Sequence, residues 1–299
     1  MSDLTFIIDD ESVREPNDQV DLNTGYTRLA KVLSSAHDAG LLVVVPELLW
    51  VAECFGGVNF SQRLTGTALN RDVRILILRL LNRASTTTVP KEVVAIRELV
   101  LDSQALSAVL HEPLIENTIA LVTLWPYTER GLTPVTNEEV DREVYCVMDT
   151  NDQIDFYRYS FEAANIQEQE FLSLAKLAFP NLCFAKSLSF RKFEGSYAGL
   201  RDAVVHHLSA INDRFTEAFR QPGSNSDTVS AIVGVDMSIE GSARSSRKAM
   251  AERDVYYEGI KYRCEWHSKI EPHRNRIHVH PGDSSTGEKV LIGIFVDHL

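Results

Sequence analysis

The chain has 299 residues, 44% hydrophobic and 24% charged, with a formal net charge of −12 at pH 7. This is the composition of a folded chain of about two domains, not of a disordered or fibrous one. No apolar run approaches the roughly 18 residues that a membrane span needs, and the acidic balance gives no global attraction to nucleic acid, so any such contact requires a local basic surface.

The start, Met1-Ser2-Asp3-Leu4, has no basic leader and no small-residue cleavage site, unlike a signal peptide. Cys54, Cys146, Cys183 and Cys264 are scattered without paired spacing. They read as small buried hydrophobes in a reducing compartment. The expectation is a soluble cytoplasmic protein with no membrane partner.

In chain order, Leu4-Thr5-Phe6-Ile7-Ile8 reads as a buried strand ending in Asp9-Asp10-Glu11. Leu29, Val32, Leu33 and Ala36 lie at helical spacing and predict a helix over 26–39, closed by Gly40. The run Leu41 to Val45 predicts a second strand, and Pro46 opens a helix through Leu49, Val51 and Ala52. This β-α-β-α opening predicts a mainly parallel sheet covered by helices.

Residues 71–111 read as mainly helical, with Pro90 opening one segment, and 119–122 as a buried strand. Thr136-Asn137-Glu138-Glu139 has the spacing of a capping box and predicts a helix over 137–147. Helices are also expected at 152–164 and 167–178, and a strand at 183–192. Leu200, Val204, Leu208, Ile211, Phe215 and Phe219 form an apolar stripe and predict a long helix over 197–219.

Gln221 to Asp227 has a linker's composition. A strand is expected at 228–237, then a basic loop from Gly241 to Lys248 carrying Arg244, Arg247 and Lys248. Strands at 255–257, 260–267, 275–280 and 289–296 complete the chain, the last two joined as a hairpin by Pro281-Gly282-Asp283 to Gly287. The expected organisation is an α/β N-terminal region, 1–180, followed by an α+β C-terminal module, 181–299. The module holds the long helix and the terminal strand hairpin.

Five of the nine histidines fall late in the chain: His267, His273, His278, His280 and His298. Alternate residues of a strand share a face. Arg263, Glu265 and His267 are therefore expected on one side of their strand, with Tyr262, Cys264 and Trp266 on the other. Arg276, His278 and His280 share a side of the next strand, backed by Ile277 and Val279.

If the two strands are neighbours, the polar sets merge into one surface suited to acid–base chemistry near neutral pH. Arg263, Lys269, Arg274 and Arg276, with Arg244, Arg247 and Lys248, would hold phosphate. The same pattern also fits the solvated outer face of an ordinary half-buried sheet.

Cys264-x-x-His267 followed by His278-x-His280 superficially offers four zinc ligands. Strand parity sends Cys264 and His267 to opposite faces, leaving His278 and His280, with His267, as a residual metal alternative. Asp9 and Asp10 end the first strand, and Glu47 and Glu53 follow the second. Carboxylates at that edge loosely resemble metal-dependent nucleases of the PIN type, with surface carboxylates as the plainer reading.

His206 and His207 belong to the long helix, where His207 reads as a packed residue. Asp236 and Glu240 either join the C-terminal surface or solvate a strand end. Trp266 reads as a core anchor, with base stacking as the alternative.

The runs Cys264-Glu265-Trp266-His267-Ser268-Lys269-Ile270, Asn275-Arg276-Ile277-His278-Val279-His280 and Val290 to Leu299, over about 40 residues, resemble the C-terminal module of bacterial proteins of mobile-element or anti-phage loci. The module is distantly similar to the ends of RelE-type toxins. The resemblance implies a defence or toxin-like protein whose C-terminal module cuts or binds nucleic acid, and the residues themselves lead to the expectation of no cofactor.

On that expectation His267 and His278 are acid and base, Glu265 orients a histidine, and His280 joins them. Two alternatives stand beside it. One is a non-enzymatic partner or sensor subunit of a defence complex. The other is a divalent-metal nuclease using Asp9 and Asp10.

Overall fold

The computed structural model describes residues 4–17, 20–111, 114, 117–126, 129–241 and 246–297. It is mixed α/β and divides after Ala164 into two compact units. The helix at 168–178 thus belongs to the second unit, where the sequence boundary at 180 put it in the first.

In the first unit, β1 (Leu4–Ile8) is buried along its whole length. A run apolar on both faces fits a strand with layers on either side. It pairs in parallel with β2 (Leu42–Pro46) and with β8 (Thr118–Val122), Phe6 standing opposite both Val43 and Ala120. Between β1 and β2 runs α1 (Leu22–Asp38), its N-terminus capped by Asp21 accepting from Thr24 N.

The chain then forms a short hairpin, β3 (Glu53–Cys54) and β4 (Val58–Asn59), and two helices, α2 (Phe60–Thr65) and α3 (Arg71–Leu81). Next come β5 (Ser85–Thr87), β6 (Glu92–Ile96), β7 (Leu99–Ser103) and α4 (Gln104–Val109). After β8, β9 (Gly131–Thr136) and β10 (Asp141–Val147) precede α5 (Thr150–Ala163). The sheet order is β5-β2-β1-β8-β10-β9-β6-β7. Its first five strands are parallel, and the last three run antiparallel to their neighbours.

Two helix expectations fail here for a shared reason. In 92–103 the apolar residues fit a helical period, yet β6 buries Val94 and Ile96 and exposes Val93, a period of two. Arg97 takes a left-handed φ of 53° in the turn, letting Ile96 pair with Leu99. At 136–140 the supposed capping box is a strand turn. Asn137 Oδ1 accepts from Glu139 N and Val140 N, and Asn137 N donates to Val140 O. An Asx side chain that bonds its own following backbone favours a turn over a helix.

The second unit begins with α6 (Glu168–Ala178) and β11 (Leu182–Phe184). The expected strand over 183–192 is only those three residues and a later single turn, Phe190–Lys192. The long helix is α7 (Tyr197–Ala210), a π turn over Ile211–Phe215, and α8 (Thr216–Arg220). The strand expected at 228–237 is instead α9 (Ser226–Val233). Asn225 and Thr228 cap it reciprocally, and Gly234 closes it at a φ of 87°.

Then follow β12 (Met237–Ile239), α10 (Arg247–Ala251), β13 (Asp254–Tyr257), β14 (Ile260–Arg263), β15 (Trp266–Lys269), β16 (Arg276–His280) and β17 (Val290–Val296). Five strands form a sheet in the order β11-β17-β16-β15-β12, and β13 and β14 form a separate hairpin. The sheet meets the long helix on one face. Phe215 and Phe219 pack edge-on against Trp266 at 5.7 and 6.1 Å, and His207 Nδ1 lies 2.6 Å from Ser268 Oγ. Trp266 is thus a core anchor. Burying a side chain such as Phe215 contributes roughly 1.5–3 kcal/mol.

His207 is buried, and burial holds its pKa down to about 4 from 6.5, with His206 beside it adding to the effect. The folded chain resists its protonation and the unfolded chain does not. Its contribution is therefore complete above pH 6.5 and is lost as pH falls from 6.5 towards 4, a span worth up to roughly 3 kcal/mol. Urea unfolding at pH 7, 6 and 5 should show stability falling, with a shallower slope in His207→Gln. An unchanged slope in that variant would remove His207 from the account.

Candidate functional site

Three adjacent strands assemble the most chemically loaded cluster of the second unit. His267 on β15 stands directly opposite Ser238 on β12 and His278 on β16. Glu240 lies just past β12, where its N–H donates to Glu265 O at 2.9 Å and extends the ladder. Residues opposite each other across strands share a face, so both imidazoles point the same way. Their ring centres are 5.0 Å apart.

That face is not open. Val255 of β13, Tyr262 of β14 and Cys264 pack over it against Leu291 and Ile294, which stand opposite His280 and His278. His278 is 0% exposed, His267 5%, Glu240 6% and Arg253, between α10 and β13, 1%. The expected solvent-facing surface of acid, base and phosphate clamp is therefore a buried polar core.

The reason is a break that parity could not show. The strand expected over 260–267 is two strands: β14 pairs with β13, and β15 joins the five-stranded sheet. Cys264 N donates to Arg253 O at the crossing. Arg263 and His267 therefore belong to different sheets. Gly293 makes the close approach possible, since a β-carbon there would lie 2.4 Å from Cys264 Sγ. The pairing of β16 with β17 slips by one residue at this point, between His278 and Val279.

Within the core each histidine has one nitrogen engaged. His267 Nε2 lies 3.0 Å from Ser238 Oγ, and His278 Nδ1 donates to Cys264 O at 3.3 Å. Among the described residues His267 Nδ1 and His278 Nε2 are buried without a hydrogen-bond partner. Glu240 Oε1 also makes no hydrogen bond, though it lies 2.8 Å from Arg253 Nε, 3.4 Å from His267 Nδ1 and 3.8 Å from His278 Nδ1.

Burial pushes the His267 pKa down to about 4, helped by Arg276 and Lys269. Burial and then His267 push His278 down to about 3. Both rings are neutral at pH 7 and carry a lone pair each.

Glu240, His267 and His278 are the only described group whose ligand atoms lie within metal-sharing distance, all within 4.8 Å of one another. Glu240 is the carboxylate grouped with these two histidines, while Glu265 acts on His280, whose pKa its charge raises against burial. His280 is apart: it packs on the Tyr262 ring at 5.2 Å, and its Nδ1 accepts from Gly282 N. Cys264 lies in the apolar cluster over the histidine face, not on the opposite face that strand parity assigned to it, and it is not among the grouped ligand atoms of the described residues.

Among the described basic residues Lys269 and Arg276 stand opposite each other across β15 and β16, and most of the others are taken up by carboxylates. Arg263 is held by Asp254 at 2.7 Å, Lys269 by Asp236 at 3.2 Å, and Arg274 by Glu194 at 3.2 Å and by Glu271. Arg276 is half-buried, Arg247 and Lys248 open α10 in exposed positions, and His273 is exposed. Arg244 and His298 lie outside the described residues.

At the N-terminal carboxylates, Asp10 is filled by Ser103 Oγ, Gln104 N and Ala105 N at 2.8–3.1 Å, with Lys91 at 3.7 Å. It accepts from the first backbone N–H groups of α4. Asp9 is buried and accepts from Glu11 N. Glu47 is exposed, and Glu53 is exposed beside Arg14.

Comparison with family models, curated proteins and solved structures finds no match for this chain.

Replacing Gly293 by Ala should push on Cys264 and, through it, on the backbone that supports His278. Overpacking of this kind costs about 1–3 kcal/mol. Chemical denaturation would read that loss, whereas wild-type stability in the variant would show that the crossing has slack.

Proposed function

We propose that the second unit is a metal-binding module in which Glu240, His267 and His278 take one divalent transition ion. The observation that carries this reading is the pair of buried imidazole lone pairs, each without a partner, beside a buried carboxylate. Metal-binding histidines commonly fix one nitrogen by donating to a carbonyl or carboxylate and offer the other. His278 does so with Cys264 O. Two nitrogens and one oxygen suit zinc, cobalt or iron better than magnesium or calcium, which favour all-oxygen sites.

An ionised carboxylate has about four lone-pair sites, so Glu240 can keep Arg253 on one and offer another to the ion. Arg253 then aims the carboxylate and offsets its charge. The burial of all three ligands makes the ion a tie between β12, β15 and β16. Cleavage of nucleic acid at this face would require the overlying β13–β14 layer to lift.

A second reading rests on the 2.8 Å Glu240–Arg253 contact. With both histidines neutral, that pair already balances the cluster's charge without an ion.

The two readings separate on purified full-length protein. Cobalt(II), used as a spectroscopic stand-in, should give visible absorption bands that saturate at one equivalent. Zinc should raise the melting temperature and a chelator should lower it. His278→Ala, His267→Ala and Glu240→Gln should each abolish the bands. If neither ion binds more tightly than about 0.1 mM, far weaker than structural zinc sites, and chelation leaves the melting curve unmoved, the metal reading fails. The charge-balanced core then stands.

A further inference from the structure

The first unit carries an uncovered sheet surface that owes nothing to the metal reading. β6 turns Val94 and Ile96 inward, both fully buried. Alternation therefore turns Val93 and Ala95 outward, and register puts Asp102 and Val100 of β7 beside them. Ala95 also stands opposite Thr136, carrying the surface on to β9. Val93 is 67% exposed and Val100 68%. A groove of about 550 Å³ runs here, lined by Val93, Ala95, Val100, Thr136, Glu138 and Glu139 among others.

Three properties define what fits it. β7 is the last strand of the sheet, so one edge of its backbone has no neighbouring strand among the described residues. Its sequence, Leu-Val-Leu-Asp-Ser, has neither the lysine nor the proline that usually blunts an exposed edge. The floor is apolar, while Asp102, Glu138 and Glu139 mark it acidic. Glu138 and Glu139 form no ion pair among the described residues.

We propose that this edge and face dock an extended, basic segment of a protein partner. The segment adds to β7 as a further strand, setting apolar side chains beside Val100 and lysines or arginines beside Asp102, and its continuation crosses the groove over Val93 towards Glu138 and Glu139. Main-chain pairing supplies affinity in this mode and side chains supply selectivity. The acid rim selects for positive charge and raises the encounter rate. A nucleic acid would meet the same carboxylates with the wrong sign.

The test uses the full chain and a fluorescent peptide of about ten residues alternating valine and lysine, with a valine–glutamate peptide as control. The lysine peptide alone should bind saturably. The double variants Val93→Asp/Val100→Asp and Glu138→Lys/Glu139→Lys should each weaken it by about tenfold or more, the scale of losing central contacts. Far-UV circular dichroism and melting temperature should stay unchanged, because these positions are exposed.

Absence of saturable binding overturns the proposal. Equal binding by the wild type and both variants overturns it too, showing only general attraction to an acidic protein. So does concentration-dependent self-association that Val100→Asp abolishes, since the occupant would then be a second copy.

Discussion

A carboxylate buried among neutral rings governs the second unit. Glu240 is nearly out of contact with water, and a charge so placed persists only with compensation fixed around it. Arg253 provides that compensation from the other side of the 241–252 segment. The pair thus ties the end of β12 to the start of β13. The overlying hairpin and the five-stranded sheet meet around this contact. The neutrality of His267 and His278 follows from the same burial.

This arrangement separates chemistry from access. The histidines have the types and the mutual distance that acid–base work would use, but their pKa values lie far below neutrality and solvent does not reach them. The basic residues nearby are mostly matched to carboxylates of their own. What converges is a set of lone pairs suited to a cation. The surface with room for a larger partner lies elsewhere, in the first unit, and its charge is negative.

Much of the first unit was legible because its parallel strands are continuous apolar runs. Leu4 to Ile8 and Ile119 to Val122 allow few other readings. The edge hairpins were not legible. Val93, Val94, Ile96, Leu99, Val100 and Leu101 fit both periods, and only the left-handed Arg97 between them decides for strands. Thr136 to Glu139 satisfies a helix-start pattern that Asn137 overrides by bonding its own backbone. At the site, sequence alternation brought His267 and His278 together correctly. It could not show that Cys264 is where the chain changes sheets, because that depends on a close approach at Gly293, some 30 residues away in sequence. Glu240 carried no local signal that set it above Glu265.

The π turn within the long helix sets a phase. By letting one turn take an extra residue, Ile211–Phe215 rotates everything beyond it relative to α7. Asn212 faces inward there and bonds Asn181 twice, holding the entrance to β11. Phe215 and Phe219 consequently reach Trp266 at an angle a regular helix would miss. The helix therefore has two registers joined by a fixed offset, one matched to Ser268 through His207 and the other to Trp266. Rewinding the π turn as regular α-helix with every residue kept would turn the second register about 100° away from the sheet. Regularity and fit are opposed at this point, and the fold keeps the irregular helix.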